Sequence, residues 1–584
     1  MKKVTITING IETTVPENST VMKAAEDLGI DVPRLCFLKD INETSSCRLC
    51  VVDIKNMRGL KNSCTLAVQD GMEIETDTKE INESIVANLQ LLASNHVFEC
   101  WACEREHNCE FLDLMRKYNV ENVYGESENF FKKPRLINDS SNSIVLDSGK
   151  CILCGRCVTA CEKQAGLSIL DFNERGNETY VGPALFHNME DSGCMYCGKC
   201  IQACPVAAIK EKSHVDHVLD ALRDKNKKVI VAAAPSVRVA LGEEFGSDIG
   251  ENVEGKMYKS FEVLGFNDIM DTNFAADLTI LEEGTEFINR VKNGGKLPMF
   301  TSCSPGWVNY IEQYEPEYLD NLSTAKSPQQ MAGAVAKHYY ADKLGYNKED
   351  VVFVSIMPCI AKKHEAERPE MEFDGVRDVD FVLTTREYAR LLKRKNVDFM
   401  KLEDGHPIGE LAQYSGAAPI FGATGGVMEA ALRTVSEILE EKETPVDFME
   451  TRGLQGVKEA TYTVAGIDVN IAVVHGGSSI KEFFKKMKKS KKQYHFVEFM
   501  GCTGGCINGG GQPIQPAKIQ DNFDIRTLRA TSLYAIDSAK EQRKSHLNSA
   551  VMDLYKNWLG EPGGHKSHDL LHTKYKPRKF YVNN

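Results

Sequence analysis

The stretch Phe499-Met500-Gly501-Cys502-Thr503-Gly504-Gly505-Cys506-Ile507-Asn508-Gly509-Gly510-Gly511-Gln512-Pro513 constrains this chain more than any other. It sets two thiols four residues apart in a segment with few side chains. Thiolates are soft ligands that select iron-sulfur clusters or zinc, and repeated glycine lets the backbone approach a bulky inorganic group and offer it N–H donors. Two cysteines cannot close a four-coordinate site. The remaining thiols of this part of the chain are Cys303, in Thr301-Ser302-Cys303-Ser304-Pro305-Gly306-Trp307, and Cys359, in Met357-Pro358-Cys359-Ile360-Ala361-Lys362-Lys363-His364-Glu365. All four are expected on one cofactor, with a structural cubane or a zinc site as the plain alternative.

Taken together, the three segments resemble the three signature motifs of the [FeFe]-hydrogenases, in the same order. The resemblance implies an H-cluster: a [4Fe-4S] cubane joined through one cysteine to a two-iron unit that carries CO, cyanide and a bridging dithiolate. Carried over to this sequence, Cys303, Cys359, Cys502 and Cys506 hold the cubane, and Cys506 is shared with the diiron unit. Lys362 donates to a cyanide, Met357 and Met500 supply soft apolar walls, and backbone near Ala234-Pro235-Ser236 contacts the other ligands. Glu283, Glu286, Arg290 and Ser323 match the family's proton-transfer positions, the two glutamates one turn apart on one helix face. One departure stands out. The common motif has adjacent cysteines, the first for proton transfer and the second on the cubane, whereas this chain has Cys303-Ser304. Literal alignment leaves a serine hydroxyl on iron and Cys303 in the relay. A small local shift instead lets Cys303 bind the cubane, with Ser304 as a poorer proton carrier. Either arrangement alters proton delivery.

A chain of 584 residues is too long for one core. The fold class expected is multidomain, α+β and α/β: N-terminal ferredoxin-like iron-sulfur domains, then a two-lobed α/β H-cluster domain. The net charge of -13 argues against non-specific nucleic-acid binding. The basic run from Lys485 to Lys492 is the local exception, either a solvated face or a docking patch for an acidic partner. No apolar run is long enough to cross a bilayer, and Val4-Thr5-Ile6-Thr7-Ile8 alternates like a strand instead of forming a signal peptide, so a cytoplasmic protein is expected. The nineteen cysteines fall mostly in C-x-x-C runs with the spacing of metal ligands, and none is left over for a disulfide.

Residues 1–80 open with a predicted hairpin around Asn9-Gly10 and a helix capped by Thr20. Cys36, Cys47, Cys50 and Cys64 are then spaced much as in a plant-type [2Fe-2S] ferredoxin with a lengthened first loop. Residues 81–140 are helical in pattern and offer three thiols, Cys100, Cys103 and Cys109, for a cubane that needs four ligands. His96, one helical turn before Cys100, fills the vacancy, and the segment resembles the histidine-ligated module of these hydrogenases and of respiratory complex I. Residues 141–212 carry the bacterial two-cluster run, in which the fourth cysteine of each motif ligates the other cluster. This assigns Cys151, Cys154, Cys157 and Cys204 to one cubane and Cys194, Cys197, Cys200 and Cys161 to the second. Glu162 replaces the usual proline after Cys161.

Residues 213–523 show continuous apolar strands between helices, the pattern of parallel sheets covered on both faces, with ligands at the carboxyl ends of the strands and the site in a cleft between two lobes. Residues 524–584 resemble the small subunit of two-chain relatives; His546, His565, His568 and His572 are expected to be structural. No Gly-rich phosphate loop follows a strand, so nicotinamide or flavin binding by this chain is not supported.

The function expected is reversible H2 oxidation and proton reduction. One [2Fe-2S] and three accessory [4Fe-4S] clusters relay electrons to ferredoxin, and dedicated maturation enzymes supply the diiron unit. The alternatives are the catalytic subunit of an NAD(P)-linked or electron-bifurcating complex with flavoprotein subunits, and a non-catalytic iron-sulfur scaffold or H2 sensor.

Overall fold

The computed structural model describes residues 2–121, 135–407, 409–490 and 492–581. At the N-terminus, Lys3–Ile8 pairs antiparallel with Ile11–Pro16. Asn9 and Gly10 both take positive φ, 51° and 78°, giving a two-residue turn whose twist matches that of the strands. Thr20 caps Val21–Asp27, its hydroxyl accepting the Lys23 N–H. These elements close over a core of Val4, Ile6, Ile8, Ile54 and Ile74.

The helix Lys79–Ser94 buries Ile81, Ile85, Leu89 and Ala93 at helical spacing and ends at Asn95. His96 therefore lies beyond the helix, and Cys100 opens a separate short turn, Cys100–Ala102. The expectation of one helical turn between them is corrected: asparagine competes for backbone hydrogen bonds and is a poor helix former, so the helix stops before His96. The part of the expected second domain at 122–134 lies outside the described residues.

In the two-cluster region, Arg156–Lys163 and Lys199–Ala203 each start after a left-handed glycine, Gly155 at φ 79° and Gly198 at φ 70°. Glu162 sits inside the first of these helices, where proline would interrupt hydrogen bonding.

Two sheets build the large C-terminal region. One is wholly parallel, in the order Asp268–Asp271, Lys228–Ala233, Val351–Met357, Phe381–Thr384. The other places Phe496–Met500 parallel to both Met299–Phe300 and Ile467–His475, with Val457–Val464 antiparallel at its edge. Val229 to Ala233 are buried without interruption, as expected of a strand covered on both faces. The 22-residue helix Thr272–Asn293 is wedged between the lobes. Phe274, Ala275, Leu278 and Leu281 join the first core, and Ala276, Ile280 and Phe287 join the second. A helix buried on all sides holds its side chains rigidly, which suits a helix that aims acidic groups at a site.

The C-terminal segment completes the first core with Leu554, Tyr555, Leu559, Leu570 and Leu571. No helix among the described residues is long and apolar enough to cross a membrane. In the basic run, Lys486 and Lys492 pair with Glu459, and Lys488 pairs with Glu315 and Glu317. These neighbours neutralise much of the expected docking patch. Lys491 lies outside the described residues.

Candidate active site

Each of the three cysteine motifs of the large region begins at the carboxyl end of a parallel strand. Cys303 follows Met299–Phe300, Cys359 follows Val351–Met357, and Cys502 follows Phe496–Met500. The sequence reading found this strand signal for the first two motifs only. Since the strands belong to different sheets, the loops meet between the lobes. There they line a cavity of about 70 Å³. Its walls include all four sulfurs, Ser304, Lys362, Met357, Met500, Ala234 and Pro235. Ser236, one residue beyond, is fully buried, with its hydroxyl unpartnered and its carbonyl accepting from Gln512 Nε2 at 3.0 Å.

Sequence reasoning missed Thr272, Gln329, Phe421 and Gly422, which also line the pocket. Thr272 Oγ1 and Gln329 Oε1 are buried without a partner. No local signal marks these residues, because they reach the pocket only through tertiary packing. An apolar cradle with four sulfurs and orphaned polar atoms fits a large group whose few polar ligands need hydrogen bonds. Among the described residues no three His, Cys, Asp or Glu side chains converge as a single ion requires. The four cysteines instead line the walls of one cavity.

Hydrogen bonding between Cys359 and Cys502 comes first in lowering Cys502 to about 6, a thiol poised to bind metal as thiolate. Burial pushes Cys506 up to about 12. Lys362 Nζ donates to Ser327 Oγ at 2.7 Å, Glu365 Oε2 at 2.8 Å and the Cys303 carbonyl at 3.2 Å. It is thereby fixed at the pocket wall. Gly505, at φ 95°, has no room for a side chain: a Cβ there would lie 2.8 Å from the Thr424 nitrogen.

Ser304 precedes the helix Pro305–Tyr314 but does not cap it. Its hydroxyl instead accepts the Gly501 N–H at 3.0 Å, on the loop that bears Cys502. Cys303 is raised by burial and then by the nearby Glu283 charge. Glu283 is buried; burial, then the Glu286 charge, pushes it up to about 8, opposed by hydrogen bonding from the Ser323 side chain and the Ser302 backbone. Ser323 Oγ donates to Glu286 Oε2 at 3.0 Å, and Arg290 pairs with Glu286 Oε1. Cys303, Glu283, Ser323, Glu286 and Arg290 thus lie in a row from the pocket outward.

The other cysteines gather in groups. Cys36 contacts Cys47, and Cys50 contacts Cys64. Cys151, Cys154, Cys157 and Cys204 line one small pocket. The thiols that most raise Cys200 are Cys197, Cys194 and Cys161, after burial itself. His96 Nδ1 is 3.1 Å from the Lys150 carbonyl, Cys109 Sγ accepts the Leu112 N–H at 3.5 Å, and Cys100 and Cys103 are partly exposed on either side of Trp101, which is 80% exposed. Cys100 and Cys103 thus reach the surface, whereas Cys109 is buried. All nineteen cysteines are free thiols.

The Cys194–Cys204 motif abuts the active-site loop directly. A Cβ on Gly510 would lie 2.6 Å from both the Cys197 carbonyl and Gly198 Cα. Lys199, 4% exposed, donates to the Asn508 carbonyl at 2.8 Å and to Gln202 Oε1 at 2.7 Å. The two loops are thus in direct backbone contact.

Family models match the chain in five places. They are a 2Fe-2S iron-sulfur cluster binding domain at 1–79, an NADH-ubiquinone oxidoreductase-G iron-sulfur binding region at 87–123, a 4Fe-4S dicluster domain at 150–208, the iron only hydrogenase large subunit, C-terminal domain, at 227–510, and the iron hydrogenase small subunit at 523–578. Iron hydrogenase 1 of Clostridium pasteurianum is 45% identical over 576 residues, covering 98% of this chain and 100% of that protein. The NADP-reducing hydrogenase subunit HndD of Solidesulfovibrio fructosivorans is 43% identical over 594 residues, covering 99% and 100%. A variant of the [FeFe]-hydrogenase HydA1 from Chlamydomonas reinhardtii superposes with a TM-score of 0.56 at 35% identity, over 63% of this chain and 100% of that one.

Proposed function

The chain belongs to the iron-only, or [FeFe], hydrogenase family, and from that premise we propose which of its residues serve the reaction. It is an iron hydrogenase that interconverts H2 with protons and electrons, using 2Fe-2S and 4Fe-4S clusters together with the H-cluster. When bound, the H-cluster supplies an electron-rich two-iron unit with an open position at which H2 is split or formed. The observation that carries the reading is the convergence of four sulfurs, Lys362 and two methionines on one apolar pocket between the lobes.

We assign Cys359, Cys502 and Cys506 as cubane ligands, with Cys506 also on the diiron unit. At the fourth position we favour the literal alignment, with Ser304 towards the cubane and Cys303 in the relay. The Ser304 hydroxyl bonds to the Cys502 loop instead of its own helix, and Glu283 is the leading charge acting on Cys303. Lys362, anchored by Glu365 and Ser327, presents positive charge to the anionic diatomic ligands, while Met357 and Met500 exclude water. Cys303 exchanges a proton with Glu283, which is protonated near neutral pH and so able to donate; Ser323 links it to Glu286, and Arg290 holds Glu286 in place.

For the accessory sites we assign the [2Fe-2S] cluster to Cys36, Cys47, Cys50 and Cys64, and the histidine-ligated cubane to His96, Cys100, Cys103 and Cys109. The two remaining cubanes take Cys151, Cys154, Cys157 and Cys204, and Cys194, Cys197, Cys200 and Cys161. Units of 1–80, 81–140, 141–212, 213–523 and 524–584 follow from this division. The redox partner in this reading is ferredoxin and the compartment the cytoplasm, with maturation enzymes delivering the diiron unit. A second reading, the catalytic subunit of an NAD(P)-linked flavoprotein complex, is favoured by the full-length similarity to an NADP-reducing hydrogenase subunit.

The deciding experiment records the infrared spectrum of matured protein and assays it with H2, first against ferredoxin and then against NAD(P)H with co-purified flavoprotein. CO and cyanide stretching bands with H2 turnover are expected. Their absence, with simple iron-sulfur centres only, would leave a scaffold or H2 sensor.

A further inference from the structure

One buried histidine of the C-terminal segment touches the proton-carrying row. His572, 9% exposed, follows the helix His565–Leu571. Its Nδ1 lies 2.8 Å from Thr324 Oγ1, and that oxygen lies 3.1 Å from Glu286 Oε2. On the other side of the ring, Nε2 lies 3.0 Å from Oε2 of Glu282, a fully buried carboxylate. Glu282 also accepts the Gly563 N–H at 2.8 Å and the Tyr555 hydroxyl. The groups facing His572 are Glu282 and, through Thr324, Glu286 from the long helix, Tyr555 from the C-terminal segment, and the exposed His568, whose ring stacks on it at 4.8 Å. Arg290 holds the other oxygen of Glu286.

We propose that His572 and Thr324 form a side branch of the relay, in which His572 takes a proton from Glu286, stores it, and returns it. This rests on the reading of Glu286 as a relay group. The hydrogen-bond logic is as follows. Two donors already directed at Glu282, the Gly563 N–H and the Tyr555 hydroxyl, define it as an acceptor, so Nε2 facing its Oε2 keeps its proton. With Glu286 ionised, the Thr324 hydroxyl donates to it, and Nδ1 must then donate to Thr324; His572 is a cation. With Glu286 protonated, Glu286 donates to Thr324, the Thr324 proton points to Nδ1, and His572 is neutral. Passing between the two states breaks one O–H bond on Glu286 and forms one N–H bond on His572, while Thr324 exchanges one proton for another. The imidazolium charge is held by Glu282, so storage does not leave an unpaired buried cation.

The test uses the full-length loaded enzyme and three variants: His572→Gln, Thr324→Val and Glu286→Gln. Histidine labelled with carbon-13 in the ring reports the His572 titration by nuclear magnetic resonance, its signal identified by its loss in His572→Gln. That titration is expected to move by about one pH unit in both Thr324→Val and Glu286→Gln. Turnover of His572→Gln is expected to fall about tenfold at pH values where His572 is charged and to match the parent where it is neutral; the loss is below that of a group acting directly on the reacting atoms. An unchanged pH profile in His572→Gln, or an unmoved titration in Thr324→Val, overturns the branch. If Glu286→Gln itself keeps full turnover, the relay reading falls instead. Should His572→Gln fail to fold, the pH profile of turnover in Thr324→Val decides in its place, since that variant cuts the branch and leaves the Glu282 pair intact; a profile equal to the parent's overturns the branch.

Discussion

At the scale of single residues, the Cys303-Ser304 pair and Glu283 carry the sharpest expectations. Ser304→Cys restores two adjacent thiols and leaves Cys303 in place. We expect a cubane potential lowered by the added thiolate and a changed pH profile of turnover; redox titration followed by electron paramagnetic resonance checks the first. An unchanged potential would place Cys303, not Ser304, on the cubane. Glu283 has a folded-state pKa of about 8 against an ordinary 4.5, with burial the main cause. The native state therefore holds a proton that the unfolded chain has released once pH exceeds 4.5, and stability falls as pH rises from there to about 8. Glu283→Gln is expected to flatten this dependence, gaining on the order of a few kcal/mol over the parent above that window, as read by denaturant unfolding across pH, while turnover drops at least a hundredfold. The sequence marked these three residues through their resemblance to a family's positions. It did not mark Thr272 or Gln329, which border the pocket only because the lobes close around them.

Among the elements, the decisive contact is between the two loops that meet at Gly198 and Gly510. Either glycine gaining a Cβ would force backbone apart. Gly510→Ala is therefore expected to destabilise the chain by about 1–3 kcal/mol and to slow electron transfer into the H-cluster more than it slows turnover driven by a small artificial donor. Lys199 belongs to the same junction. It is buried and donates to neutral oxygens, Asn508 O and Gln202 Oε1. The thiolates of Cys502 and Cys197 are the leading opposite charges that it feels. Lys199→Met, which keeps the bulk and removes the charge, is expected to lower the potentials of both adjoining cubanes, because reduction adds negative charge that the ammonium stabilises. Potentials equal to those of the parent would show the charge to be compensated elsewhere. The hairpin at Asn9-Gly10 and the Thr20 cap were legible in advance, since turn and cap chemistry depend on a few neighbouring residues. The end of the helix at Asn95, before His96, was not: periodicity continues past it, and the stop is set by one poor helix former.

For the molecule as a whole, the C-terminal segment is part of the catalytic lobe's core. Leu554, Tyr555, Leu559, Leu570 and Leu571 fill that core, and burying each such side chain contributes about 1.5–3 kcal/mol. Their combined loss exceeds the marginal stability of a typical domain. Deletion of residues 524–584 is accordingly expected to yield aggregated protein without H-cluster, measured by solubility and iron content. Co-expression of the segment as a separate chain should restore both if the remaining chain can close around it. Sequence by itself determined the order of the iron-sulfur modules and, through three motifs that resemble a known family's, the nature of the reaction, since motif order is written along the chain. Tertiary structure decided how the three motifs share one pocket and that His572 reaches Glu286 through Thr324. Those depend on the packing of two sheets against a common helix, and residues separated by hundreds of positions meet there without any local pattern announcing it.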